Sequence, residues 1–241
     1  MKLDFITIFP EFFEPLKLAL LGKAQDKSLI EIGVHDLRDQ ATNIHRQVDD
    51  TPYGGGAGMV MTIQPIHDAI VHLKAERTYD EIIYLTPDGE RLEQSACNRL
   101  SLTTNLMLIC GHYKGIDQRL RDHFITREIS IGDYVLSGGE LPLLVIMESI
   151  TRVLPGVLEK ESASQIESFE NETLEYPQYT RPKIWENHAV PEILTSGDHG
   201  KVAAWRQKQS QIRTRQWRPD LWEAWEMAHP GKKLDRNEEA G

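Results

Sequence analysis

The sequence predicts an α/β fold, a mostly parallel sheet flanked by helices, and three observations carry that expectation. Short apolar runs near 81–86, 105–110 and 125–136 have the β-branched and aromatic bias of strands, and each ends in a turn-rich loop. Helical patterns separate them, with Leu92, Ala96 and Leu100 four residues apart and Ile116, Leu120 and Phe124 likewise. Strands that alternate with helices form parallel sheets, whose ligands sit beyond the carboxyl ends of the strands. Three such loops would converge on one pocket.

Taken in order, strands are expected near 2–8, 29–35, 81–86, 105–110 and 125–136. Helices are expected near 11–25, 64–76, 91–101, 115–123 and 142–154. Pro155-Gly156 stops the last of these. From Glu159 to Glu175 the chain is acidic and serine-rich without sustained periodicity, which reads as a linker. A small helical C-terminal domain follows at 176–241, opened by the proline-bracketed Tyr176–Pro182 and built on a basic helix at 199–216 and a tryptophan-rich one at 220–228. Trp222 and Trp225, three apart, are expected in its core. The domain division is therefore 1–158, 159–175 and 176–241.

The segment Ile129–Pro142, ISIGDYVLSGGELP, is the most informative of the chain. Ile129, Ile131, Tyr134, Val135 and Leu136 read as a buried strand end. Gly132, Ser137, Gly138 and Gly139 then let the backbone turn and approach a ligand closely, since glycine has no Cβ. Pro142 suits the first turn of the following helix. Main-chain donors and acceptors beside apolar side chains suit a flat heterocycle. A tight connection in a packed core would use the same residues. Tyr53–Met59 places glycines and an alanine together, but Met-Val-Met follows where a phosphate-binding loop needs Lys and Ser/Thr, and no GxGxxG follows the first strand.

With 241 residues, 40% of them hydrophobic, the chain can bury a substantial core. No apolar run approaches the roughly 18 residues of a membrane span. KLDFITIFP reads as a first strand and not a signal peptide. Two cysteines form no disulfide framework, which suits the cytoplasm. Cys110 ends an apolar strand and reads as a core thiol rather than a nucleophile, and no Cys/His spacing marks a metal site. The net charge of −10 argues against a nucleic-acid partner, but its distribution does not. The acid excess lies in the first 172 residues. His199–Pro219 carries Lys201, Arg206, Lys208, Arg213, Arg215 and Arg218 without one acid, interleaved with Trp205 and Trp217. Phosphate contacts act locally, within about 10 Å, so this block can bind a polyanion despite the total. A solvated helix face would look the same.

Taken together, YGGGAGM, TPDG, CGHYKGID, ISIGDYVLSGGELP, RVLPGVL and YPQYTRP resemble the bacterial tRNA (guanine-N1)-methyltransferases of the SPOUT superfamily, over nearly the whole chain and in order. The resemblance implies a SPOUT fold with a deep trefoil knot, an exception to the rule against threaded loops. It implies a homodimer with S-adenosylmethionine as methyl donor in the knot, magnesium as an accessory ion, and methylation of N1 of guanosine 37 of tRNA, 3′ to the anticodon. Its donor site carries over onto Tyr84, Thr86, Pro87, Gly111, Ile131, Gly132, Asp133, Tyr134, Val135, Leu136, Gly138, Gly139 and Pro142. Its arginine aligns with Arg152 and its general base with Glu167, where the family's usual residue is Asp. Arg152 also sits in a last helical turn, where a cation is favourable anyway. Lys201, Arg206, Lys208, Arg213 and Arg215 are the expected RNA contacts. Better-known members carry Arg and Glu where this chain has His112 and Lys114. Rival readings are a 2′-O methyltransferase on the same scaffold and a tRNA-binding protein that has lost catalysis.

Overall fold

The structure, a computed structural model, describes residues 1–158, 168–169 and 172–230. The chain divides into two compact units, Met1–Glu159 and Lys160–Gly241.

In the first unit, strands β1 (Lys2–Thr7) and β2 (Glu31–Asp36) precede a two-residue pair, β3 (Asp49–Asp50) and β4 (Val60–Met61). Strands β5 (Glu81–Arg91), β6 (Asn105–Cys110) and β7 (Arg127–Ser130) follow. The main sheet has the order β2-β1-β6-β5-β7, and its neighbours all run parallel. The helices are α1 (Ala19–Asp26), α2 (Ile63–Glu76), α3 (Gln94–Leu100), α4 (Gln118–His123) and α5 (Glu140–Val153). Successive side chains of a strand face opposite ways, and here both faces are covered, which explains the uninterrupted apolar runs. Leu3, Phe5, Ile83, Leu85, Leu106, Leu108 and Cys110 pack under Leu21, Leu143, Ile146, Met147 and Ile150. The alternate residues Ile6, Ile82, Tyr84, Met107 and Ile109 pack under Ile66, Ile70, Leu73 and Leu120. Asp4 is buried on that second face, where it accepts hydrogen bonds from Tyr79 Oη at 2.7 Å and pairs with His35 at 2.8 Å and Arg77 at 3.1 Å. Burial alone would raise its pKa. The His35 and Tyr79 hydrogen bonds and the Arg77 charge outweigh burial, and the carboxyl lies below its usual range.

Three expectations are corrected. The helix expected at 11–25 is a 3₁₀ segment, Pro10–Lys17, and then α1, with Leu18 extended between them. Pro15 lies inside the first piece, where it has no N–H to give. The strand expected at 81–86 continues to Arg91, but Leu85 and Glu90 both pair with Ile129, so Thr86–Gly89 loops out and the chain returns. The strand expected at 125–136 ends at Ser130. Ser130 Oγ donates to Gly132 O at 3.0 Å, Tyr134 N–H donates back to Gly132 O at 2.9 Å, and Gly132 has φ +151°. Ile131–Leu136 is therefore a loop, with Tyr134 53% and Val135 83% exposed, and not a buried strand end.

In the second unit, α6 (His199–Trp217) and α7 (Pro219–Ala228) follow a hairpin of β8 (Ile184–Trp185) and β9 (His188–Ala189). Asp198 caps α6 by accepting from Lys201 N–H at 3.0 Å. Trp222 and Trp225 are buried and stacked, with ring centres 4.9 Å apart, and His229 stacks on Trp225. Much of the expected linker 159–175 lies outside the described residues. Within its described part, Leu174 N–H donates to the buried Thr214 Oγ1 of α6 at 2.8 Å, and Ser210 Oγ donates to Thr173 Oγ1 at 2.9 Å. Among the described residues no helix is long and apolar enough to cross a membrane.

Candidate active site

Three loops meet at the carboxyl end of the sheet in the first unit. The first is the Thr86–Gly89 excursion of β5. A Cβ at Gly89 would come within 2.6 Å of the main chain of Glu128 and Ile129, so only glycine lets the loop return beside β7. The second is Gly111–Ile116, after β6. It turns at Tyr113, a non-glycine residue with φ +59°, and Gly115 N–H donates to His112 O at 2.9 Å. The third, Ile131–Gly139, leads into α5. It is fastened to the second by Gly139 N–H donating to Gly111 O at 2.9 Å and by a bridge between His112 and Gly138.

They enclose a cavity of about 360 Å³. Leu85, Ile116, Ile129, Ile131, Leu136 and Pro142 give it apolar walls, and the glycines leave main-chain groups bare. Of the expected donor-site residues, Tyr84, Thr86, Pro87, Gly111, Ile131, Gly132, Tyr134, Val135, Leu136, Gly138 and Pro142 line it. Asp133 and Gly139 do not. Gly139 stands behind the wall, where a Cβ would come within 2.7 Å of Cys110 Cα. Gly111 lies over the Tyr84 ring, which a Cβ there would meet at 2.7 Å. Burial pushes the Tyr84 phenol up, so it stays protonated, although the Arg121 charge beside it pulls the other way. Cys110 is buried, and its thiol is pushed well up for that reason. That disposes of the nucleophile reading.

The sequence did not point to Arg121 of α4, which also lines the cavity. Its guanidinium grips Glu128 with Nε at 2.7 Å and Nη2 at 2.5 Å, reaches Asp88 at 2.8 Å, and lies 5.6 Å from the Tyr84 ring centre. The Glu128 hydrogen bonds, followed by those to Asp88, push its pKa above the ordinary arginine value. Asp88 also accepts from Thr86 Oγ1, and that bond, with Arg121, holds its carboxyl below the usual range. Arg121 thus ties α4, β7 and the first loop together. Its only trace in the sequence is the opposite charge seven residues on. A second group is His112, whose Nε2 is 2.7 Å from Oε2 of Glu140, the first residue of α5. Glu140 is 2% exposed and accepts from Thr7 Oγ1 at 2.7 Å, so this histidine braces a buried carboxylate beside the cavity. Lys114 also lines the cavity, and its side chain lies across Gly58, where a Cβ would meet Cε at 3.1 Å. The glycine loop therefore packs against the second loop at Gly58.

Arg152 is exposed in the last turn of α5. It lies ten residues beyond Pro142, about 15 Å along the helix, and is not part of the cavity wall. Glu167 lies outside the described residues. In the second unit, Lys201, Arg206, Arg213 and Arg215 are exposed on α6 and Lys208 is half-buried. Lys201 pairs with Asp198 at 3.2 Å, and Arg206 lies 4.8 Å from the Tyr176 ring centre. Among the described residues no group of three or more His, Cys, Asp and Glu side chains is gathered for a metal.

Residues 1–224 match the family described as tRNA (Guanine-1)-methyltransferase TrmD. A protein of Flavobacterium psychrophilum named tRNA (guanine-N(1)-)-methyltransferase is 54% identical over 222 residues, covering 92% of this chain and 99% of its own. Proteins of the same name from Bacteroides fragilis and Porphyromonas gingivalis are 51% and 48% identical, each over 92% of this chain and 100% and 99% of their own lengths. Three loops around one cavity thus coincide with a match along nearly the full chain, and the chain belongs to the tRNA (guanine-1)-methyltransferase family.

Proposed function

We propose that this chain transfers a methyl group from S-adenosylmethionine to N1 of guanosine 37 of tRNA, acting in the cytoplasm as a homodimer. The observation that carries this reading is the cavity formed by three loops at the carboxyl ends of parallel strands, with apolar walls and uncovered main-chain groups. A neutral adenine is held by such surroundings, and Gly111 and Gly138 let the backbone pack against the Tyr84 and His112 rings, where a Cβ would collide, so that main-chain groups line the cavity. The residues present therefore fit the donor. When bound, it supplies an electrophilic methyl carbon on a sulfonium.

The chain's own residues do the rest. Guanine N1 carries a proton at neutral pH, and Glu167 takes that proton as N1 becomes the nucleophile. Arg152 stabilises the negative charge that develops toward O6. The trefoil knot belongs to the same reading. It is supported by the match of residues 1–224 to the family. Arg206, Arg213 and Arg215, with Lys201 and Lys208, bind the tRNA backbone. Magnesium would assist the reaction, as in the family.

The test is methyl transfer from labelled donor to unmodified tRNA, with the modified nucleotide mapped. Label at N1 of guanosine 37 is expected. Label on ribose would establish the 2′-O reading, and binding of tRNA without transfer would leave a protein that has lost catalysis.

A further inference from the structure

The hairpin of β8 and β9 exposes apolar and aromatic surface that none of the described residues of its unit covers. Ile184 is 64% and Trp185 62% exposed, although indole rings ordinarily bury most of their area. The hairpin is closed by pairing of Ile184 with Ala189 and Trp185 with His188, and by Val190 N–H donating to Lys183 O at 2.9 Å. Glu186, at the turn, has φ +49°. The His188 ring lies near-parallel to the Trp185 indole, with centres 6.2 Å apart and 27° between planes. The indole is thus steadied in the hairpin while most of it remains open to solvent.

Two cations precede the indole, and one exposed acid, Glu186, follows it in the turn. Lys183 immediately precedes Ile184, and Arg181 lies two residues further back, both exposed. The segment leading to the hairpin is anchored on the basic helix: Tyr176 lies under Arg206, with 4.8 Å from guanidinium carbon to ring centre, and Tyr179 packs against Trp205 at 6.3 Å. An exposed aromatic plane, cations beside it, and a helix that carries basic residues without an acid form the combination that binds single-stranded nucleic acid. The cations track phosphates, and a base stacks on the ring.

We infer that Trp185, at the head of this hairpin, is a stacking platform for an unpaired nucleobase of the tRNA substrate, with Lys183 and Arg181 holding the adjoining phosphates. The inference rests on the proposed action on tRNA and adds a specific contact to it. Stacking is a nonionic contact, whereas backbone contacts release counterions, so the two respond differently to salt.

The experiment measures tRNA affinity against salt concentration for the full chain, for Trp185→Ala, for Trp185→Phe, and for a double Arg213→Gln, Arg215→Gln variant. Trp185→Ala is expected to weaken binding roughly five- to thirty-fold with an unchanged salt slope, Trp185→Phe to recover part of the loss, and the double variant to flatten the slope. Near-ultraviolet circular dichroism of the Trp222–Trp225 stack verifies that each variant is folded. Wild-type affinity in folded Trp185→Ala would overturn the inference. So would a loss accompanied by a change of salt slope, or a change of oligomeric state in sedimentation, which would assign the hairpin to a second copy. If the unaltered chain itself fails to bind tRNA, the proposed function fails, and that result is seen before any variant is compared.

Discussion

Gly139 and Gly54 show how differently one residue type is used. A Cβ at Gly139 would sit 2.7 Å from Cys110 Cα, a backbone atom that cannot swing aside, while at Gly54 it would meet nothing within 4 Å. Gly54 instead needs its positive φ of +84°. Gly139→Ala must therefore push the third loop off the second and break the Gly139 N–H to Gly111 O hydrogen bond. It is expected to cost about 1–3 kcal/mol of stability and to raise the dissociation constant of S-adenosylmethionine more than tenfold. Gly54→Ala is expected to cost only about 1 kcal/mol through backbone strain and to leave donor affinity unchanged. Thermal melts and calorimetric titration compare the two. Equal donor binding by both variants would contradict the role given to close approach.

Among the elements, α4 is short, yet through Arg121 it governs the cavity wall. Removing the guanidinium in Arg121→Met keeps the stem but frees Asp88 and leaves Glu128, which is largely buried, without its partner. Hydrogen bonds to charged groups are worth about 1.5–3 kcal/mol, and partial exposure reduces that. A five- to twentyfold weaker affinity for S-adenosylmethionine is expected, with the melting temperature lowered by only a few degrees. Unchanged affinity would show that Thr86–Gly89 holds its shape without α4.

On the same face of the sheet as α4, Asp4 joins β1 to β2 through His35 and to the chain between α2 and β5 through Arg77 and Tyr79. Its carboxyl is depressed below the ordinary 3.8, so the stability it supplies is fully present above that pH and is lost as pH falls through the lower folded value. Asp4→Asn should be less stable than the unaltered chain by about 1–3 kcal/mol at pH 7, and the gap should close below about pH 4. Denaturant midpoints measured from pH 7 to pH 2 follow it. A gap that stays constant with pH would assign the effect to packing rather than charge.

At the scale of the whole molecule, charge is spread unevenly, with the acid excess in the first 172 residues and an acid-free run at 199–219. The acidic first unit repels phosphates, whereas α6 carries cations without an acid; under the proposed function the tRNA is held at α6, and the carboxylate that takes its proton, Glu167, comes from the second unit as well. If Glu167 is the base, Glu167→Gln should lower turnover by at least a hundredfold while leaving both S-adenosylmethionine affinity and tRNA affinity near normal. Single-turnover methyl transfer at saturating donor and tRNA reads this directly. Retention of full activity would sink the assignment.

The sequence by itself determined the parallel α/β class, because alternating strand and helix periods are local properties of the chain, as at Leu92, Ala96 and Leu100. It also determined the three loops, because glycine punctuation at Gly111, Gly132, Gly138 and Gly139 is visible without a fold, and most of the residues that the resemblance names for a donor site line the cavity these loops form. Only the tertiary structure decided where Ile131–Leu136 lies, since a β-branched run reads as a buried strand until Ser130 and Gly132 are seen to turn it outward. Only it decided that Arg121, Glu128 and Asp88 form one unit, or that His112 braces Glu140, because these partners are brought together by packing and carry no fixed spacing. Side-chain periodicity is written into a chain over a few residues, whereas charge pairing across elements exists only once the sheet has aligned them.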